Sequence, residues 1–255
     1  MIFISIITEI GKTVRDVADG SFLKSFTSAV ILAAGSGTRM GGEITKQWIC
    51  IDGIPVVVRS LLVFQASRYI NEIILCVKKD ELDAYSGIAE AYGLTKLKAV
   101  AVGGATRQES ALAGFKRISD KADLVAIHDA ARCLVTEEMI EATVRAARRD
   151  GGSCAACRAT DTVKTVDAYG SVVSSPDRSR VWLAQTPQVF GVEQYRVSAY
   201  LAIRDGFTAT DDSSLLEHAG FNVTVVDCGK ENLKITTPTD LLIAKAILES
   251  RNKEK

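Results

Sequence analysis

The chain has 255 residues, 47% of them hydrophobic and 24% charged, which suits one large α/β domain or a domain with an appendage. Thirty-one basic residues cancel thirty-one acidic ones, so no net field argues for nucleic acid or an anionic membrane as partner. No apolar run reaches about 18 residues, and a membrane span is not expected.

Met1-Ile-Phe-Ile-Ser-Ile-Ile7 is apolar but short, with no basic residue before it and no small-residue cleavage site after it, a poor signal peptide. Residues 1–28 read as an extension, in which Ile10 to Phe26 could form an amphipathic helix. Beyond it, apolar β-type runs alternate with helical segments. Strands are expected at Ala29–Ala33, Glu72–Lys78, Lys98–Val102, Leu124–His128, Gly152–Ala159 and Asn222–Asp227. Pro55 suits the first turn of a helix running to about Arg68. Thr106 and Glu109 form a capping box for a helix to about Ile118. Thr136 caps the next, with Glu137 and Glu138 at its positive end. Thr237-Pro238 opens the last, to about Ser250. Such alternation implies a largely parallel sheet covered on both faces, with ligands collecting beyond the strands' carboxyl ends. Between Asp161 and Arg180 the pattern breaks. Thr162–Asp167 and Ser171–Ser175 read as a β-hairpin around Gly170, and a lone hairpin needs something to pack on, here another subunit. Six cysteines are scattered. The one close pair, Cys154 and Cys157, diverges if it lies on a strand, so the thiols read as small hydrophobes of a reducing cytosol and zinc is not expected.

The richest stretch is Ala29-Val-Ile-Leu-Ala-Ala-Gly-Ser-Gly-Thr-Arg-Met-Gly41, followed by Lys46-Gln47. A β-type run ends in a glycine loop flanked by Arg39 and Lys46, which is a way to hold phosphates: glycines let backbone N–H groups come close and the cations neutralise charge. The dinucleotide fingerprint G-x-G-x-x-G fails, because Gly35 and Gly37 are followed by Met40. The P-loop also fails, because Glu43 stands where lysine is required after Gly42. Three further segments end in polar clusters. Gly103-Gly104 with Arg107 and Ser110 sits at a helix start that favours anions. Asp129, at a strand's carboxyl end, is either a Mg²⁺ ligand or an Asx turn or helix cap. Lys234, just before the last helix, reads on its own as a solvated charge.

Taken together these blocks resemble the 2-C-methyl-D-erythritol 4-phosphate cytidylyltransferase family. The resemblance runs through Leu32-Ala-Ala-Gly-Ser-Gly-Thr-Arg39, Lys46-Gln47, Gly103-Gly104 with Arg107 and Ser110, and His128-Asp-Ala-Ala-Arg132. It continues through Asp161-Thr-Val-Lys164, Asp177-Arg178, Gln185-Thr-Pro-Gln188, Thr210-Asp211 and Asn232-Leu-Lys234, spanning Ala29 to about Leu248. The chain departs at Thr45 and Cys133, where the family usually has prolines; altered loop rigidity with activity retained is the expectation. Relatives using ribitol 5-phosphate tend to have valine where Ala131 stands, which favours methylerythritol phosphate.

The resemblance implies an α/β, Rossmann-like three-layer sandwich over residues 29–255. A protruding β-hairpin dimerisation arm is expected at about 161–182. It implies that CTP and a polyol phosphate are joined with release of pyrophosphate. The substrate phosphate is already an anion at neutral pH, so positioning and charge neutralisation replace a strong base, and His128 reads as structural. Arg39, Lys46 and Lys234 are the implied catalytic residues. CTP would meet Ala33, Ala34, Gly35, Gly37, Gly103, Gly104, Arg107, Ser110 and Ala130. The second substrate would meet Asp129, Arg132, Thr162, Arg178, Thr186 and Thr210, with Asp129 also the Mg²⁺ ligand. Arg178 would reach the other subunit's site in a cytoplasmic homodimer. Rival readings are a ribitol-phosphate or other polyol-phosphate cytidylyltransferase, a non-catalytic nucleotide-binding protein, and a dinucleotide reductase with Asp52 as its ribose-binding acid.

Overall fold

The computed structural model describes residues 25–35 and 46–253, with only the backbone of Lys46. Expectations for residues 10–24, Gly37, Arg39 and the Lys46 side chain therefore lie outside the described residues.

Seven strands form one sheet: β1 (Thr27–Leu32), β4 (Glu72–Val77), β5 (Leu97–Val102), β6 (Leu124–Asp129), β7 (Gly152–Arg158), β10 (Trp182–Gly191) and β11 (Thr224–Asp227). Their order across it is β11-β7-β10-β6-β1-β4-β5. β1 pairs in parallel with β6 and β4, β4 with β5, and β11 with β7. β10 alone runs antiparallel to its neighbours β6 and β7. Among the described residues the other strands make two small hairpins, β2 (Cys50–Ile51) with β3 (Ile54–Pro55), and β8 (Thr165–Val166) with β9 (Val172–Ser174).

The side-chain alternation of the strands sends residues to two cores. On one face Ala29 and Ile31 of β1 pack with α1 (Val56–Ala66), α2 (Ile88–Ala91) and α4 (Glu137–Asp150) through Leu61, Phe64, Ile88, Ile140 and Val144. On the other, Val30 packs with α3 (Arg107–Phe115), α5 (Val192–Asp205) and α6 (Asp212–His218) through Ala111, Phe115, Tyr195 and Leu216. A third cluster seats α7 (Pro238–Lys253) by Ala244 on Ile51, Val56 and Leu134. The expected three-layer α/β sandwich is what forms.

The local signals act as read. Thr106 accepts from Glu109 N while the Glu109 carboxylate returns to the Thr106 N–H, closing the capping box on α3. Thr136 accepts from Met139 N at the start of α4, and Gly151 ends that helix at φ 89°. Cys154 and Cys157 lie on β7, buried, and all six thiols are free. In the hairpin, Gly170 takes φ 84° and Asp167 Oδ1 accepts from both Tyr169 N and Ser171 N. Its apolar residues face solvent: Tyr169 is 94% exposed, and Val166, Val172 and Val173 more than half.

The unexpected element is β10. Pro187 in its middle argues against a strand, since proline cannot donate to a ladder. The chain accommodates it by an irregularity: Ala184 pairs with Ala156 and Gln188 with Cys154, leaving Gln185, Thr186 and Pro187 out of register. Within that irregular stretch Thr186 is buried, its hydroxyl against Asp129 N.

Candidate active site

A cavity of about 490 Å³ opens beyond the carboxyl ends of β1, β4, β5 and β6. Parallel sheets collect ligands there because helix N-termini and strand-to-helix loops converge at that edge. Ala34 and Gly35 follow β1, Lys78 follows β4, Gly104 to Arg107 lead from β5 into α3, and Asp129 ends β6. Lys234 closes the wall from the segment before α7.

The glycines make the wall thin. A Cβ on Gly103 would lie 2.7 Å from Ala34 Cβ and 2.7 Å from Ser110 Oγ. Ser110 Oγ accepts from Gly104 N at 3.1 Å and donates to Thr106 O at 2.9 Å, which ties the glycine segment to the first turn of α3. Only a residue without a side chain allows that approach.

Charge concentrates at Asp129. Its Oδ1 accepts from Arg107 Nε at 3.1 Å and its Oδ2 from Lys234 Nζ at 2.6 Å. Burial pushes this carboxyl upward, but the Arg107 and Lys234 charges outweigh burial and hold it well below the usual carboxylate range. Arg107 also donates from Nη1 to Asp212 Oδ2 at 2.5 Å. Burial alone would pull the guanidinium down, but Asp212 and Asp129 raise it, so Arg107 keeps its charge.

Beneath the carboxylate lies a neutral chain. Asp129 N donates to Thr186 Oγ1 at 3.0 Å, and that hydroxyl lies 3.0 Å from His128 Nδ1. With its oxygen already accepting, Thr186 donates its own proton to Nδ1, which leaves Nε2–H to donate to Arg132 O at 3.3 Å. Burial drives the His128 imidazole down to about 3, and Phe64 packs against its ring. An imidazole that stays neutral and is inaccessible to the cavity is structural, as its sequence context suggests. Arg132 donates to Asn232 O at 2.8 Å, and Asn232 Nδ2 donates to Thr186 O at 2.8 Å.

Of the described sequence-derived residues, Gly103 and Arg132 are half-buried and not among the cavity-lining residues, Arg132 donating to Asn232 O and Ala184 O, and the others fall into three groups. Ala34, Gly35, Gly104, Arg107, Ser110, Asp129 and Lys234 line the cavity together, and Thr186 is buried directly behind Asp129. Ala33 and Ala130 are fully buried, and their polar groups serve the fold: Ala33 N donates to Cys76 O, Ala130 N to Leu32 O, and Ser60 donates to Ala130 O. Thr162, Arg178 and Thr210 are exposed and are not among the cavity-lining residues. Arg178 donates to Thr160 O at the base of the hairpin. Lys78 and Asp212 escaped the sequence reading. Lys78 could have been found as the last residue of an expected strand. Asp212 gives no such signal, because Asp211 beside it is the ordinary cap of α6, accepting from Ser214 N at 3.0 Å.

The chain matches the family model described as 2-C-methyl-D-erythritol 4-phosphate cytidylyltransferase over residues 27–250. It is 39% identical over 231 residues to the Geotalea uraniireducens protein of that name, covering 89% of this chain and 99% of the relative. It is 40% identical over 228 residues to that of Syntrophus aciditrophicus, covering 89% and 97%. Among solved structures, 4-diphosphocytidyl-2C-methyl-D-erythritol synthase of Anaerococcus prevotii superposes with a TM-score of 0.80 at 33% identity, covering 90% of this chain and 99% of that one. The Francisella tularensis 2-C-methyl-D-erythritol 4-phosphate cytidylyltransferase gives 0.73 at 29%, covering 87% and 99%. Built on the same sheet, glycine wall and strand-end carboxylate that the sequence motifs announce, the chain belongs to the 2-C-methyl-D-erythritol 4-phosphate cytidylyltransferase family.

Proposed function

We propose that this cavity joins CTP to 2-C-methyl-D-erythritol 4-phosphate, giving 4-diphosphocytidyl-2-C-methyl-D-erythritol and pyrophosphate for non-mevalonate isoprenoid synthesis. The observation that carries the reading is Asp129, an ionised carboxylate held between Arg107 and Lys234 on the wall of a glycine-lined cavity. The substrate phosphate attacks the α-phosphorus in line and pyrophosphate leaves. No residue needs to take a proton, which agrees with a site whose adjacent histidine is buried and neutral. What the reaction needs is compensation for charge crowding at the α-phosphorus. Lys234 supplies one cation from the α7 side, and we assign Arg39 and Lys46 to the other. Backbone at Ala34, Gly35, Gly103 and Gly104, with Ser110, lies along the nucleotide; Thr186 and Arg132 support the acceptor side.

Mg²⁺ fits the donor set. Magnesium is held by one or two carboxylates with substrate phosphates and water completing the shell, and Asp129 is an ionised carboxylate on the cavity wall. Bound there, it would neutralise triphosphate charge, and Asp129 would hold it.

We also propose a cytoplasmic homodimer in which the hairpin crosses to the other subunit and Arg178 and Thr162 meet that subunit's acceptor phosphate. The exposed valines and Tyr169 of the hairpin support this, since a two-stranded ribbon with apolar faces is marginal alone. Six free thiols suit a reducing compartment. Steady-state kinetics of Lys46→Ala and Arg39→Ala test the assignment. Each should lose on the order of 10²–10³ in kcat, as for removal of one preorganised charge donor. Near-normal turnover of Lys46→Ala would refute it.

A further inference from the structure

Asp212 is 1% exposed, and both its carboxylate oxygens are used: Oδ2 by Arg107 Nη1 and Oδ1 by Tyr195 OH at 3.1 Å. Tyr195 is itself fully buried, set against Phe115 and Phe190. The backbone N of Asp212 donates to Gln188 Oε1, which pins the start of α6 to β10. Burying a carboxylate is expensive unless it is paired and hydrogen-bonded. Helix capping does not account for it here, because Asp211 already caps α6. The carboxylate serves Arg107.

Arg107 is held at both ends of its fork. Nε points to Asp129 on β6 and Nη1 to Asp212 on α6, while Nη2 is buried without an acceptor. A guanidinium presents its N–H groups in a rigid plane. Pinned at two carboxylates on two different elements, its plane is fixed, and the one nitrogen left without a partner, Nη2, is buried. Arg107 lines the cavity, yet its two engaged nitrogens point at carboxylates and its remaining one is buried, which favours a role through Asp129 over the nucleotide contact that the family resemblance implies.

We infer that Asp212 is a positioning residue, which clamps Arg107 onto Asp129 so that the guanidinium serves the reaction through Asp129 and not as a contact to the nucleotide. The inference rests on the reaction proposed above. Tyr195 holds Asp212, Asp212 holds Arg107, and Arg107 fixes the orientation of the carboxylate facing the cavity.

The test compares the parent with Asp212→Asn and with Arg107→Met/Asp212→Asn. The double variant removes one buried charge of each sign and so avoids orphaning either. Three quantities are measured: kcat and KM on CTP and 2-C-methyl-D-erythritol 4-phosphate, the Kd of CTP with MgCl₂ by calorimetry, and Tm. A clamp predicts that kcat falls tenfold or more in the double variant while the CTP Kd stays within threefold of the parent. It also predicts that Asp212→Asn lowers kcat without raising the KM for CTP. A CTP Kd weakened beyond threefold would make Arg107 a nucleotide ligand and overturn the inference. A kcat within twofold of the parent in the double variant would reduce the pair to a structural tie and overturn it as well. A parent that binds CTP but releases no pyrophosphate would refute the reaction itself, and the CTP affinities would still decide whether Arg107 is a nucleotide contact.

Discussion

Stability should fall as the pH is lowered through a window set by one residue. His128 is fully buried, and burial drives its imidazole from about 6.5 to about 3. Between those values the unfolded chain binds a proton that the folded chain refuses. The unfolded state then holds more protons, so folding stability rises with pH across the window and is lost as pH falls through it. At 1.36 kcal/mol per unit of pKa difference, the loss relative to pH 7.5 comes to about 2 kcal/mol by pH 5. The chain has only one other histidine, His218, which makes the contribution separable. Urea unfolding at pH 7.5, 6.5, 5.5 and 5.0 should be run on the parent and on His128→Gln. The variant loses stability at every pH, because Thr186 loses its imidazole acceptor, but its slope against pH should be flatter by that ~2 kcal/mol. His218 and the carboxylates remain as a common background. Equal slopes in the two proteins would show that the folded chain protonates His128 readily. The neutral network beneath Asp129 would then be wrong.

Three other substitutions probe the cavity and the hairpin. In Gly103→Ala the new methyl would sit 2.7 Å from both Ala34 Cβ and Ser110 Oγ, so the wall must shift; overpacking of about 1–3 kcal/mol should appear mainly as a raised KM for CTP. Asp129→Asn should cut kcat by about 10²–10³. Its stability cost should be only about 1–2 kcal/mol, less than for an orphaned buried charge, because Arg107 keeps Asp212 and the partly exposed Lys234 keeps water; urea melts beside kinetics separate the two. Mixing Arg178→Ala with Lys46→Ala subunits, each inactive alone, should restore about a quarter of parental activity if the site is shared across a two-fold dimer. No recovery on mixing would mean that Arg178 does not act across subunits.

Much of the fold was legible because local signals agreed with tertiary packing. The apolar runs ending at Leu32, Val77, Val102 and Asp129 became the strands whose ends form the cavity, and the Thr106–Glu109 box opened α3 beside it. What escaped was non-local. β10 hides behind Pro187, because its irregular pairing with β7 is a property of two strands and not of one segment. Asp212 reaches Arg107 across 105 residues, a pairing no spacing rule encodes. Lys78 was within an expected strand, yet only the sheet order, which sets β4 between β1 and β5, brings it to the same edge as Gly35 and Gly104. Arg178 and Thr162, which the family motif marks, are exposed and are not among the cavity-lining residues.

The most direct measurement is pyrophosphate release from CTP and Mg²⁺ with 2-C-methyl-D-erythritol 4-phosphate, run beside ribitol 5-phosphate. Rapid release is expected with the methylerythritol phosphate and little with the ribitol phosphate. Release with ribitol 5-phosphate alone, or with neither despite bound CTP, would contradict it.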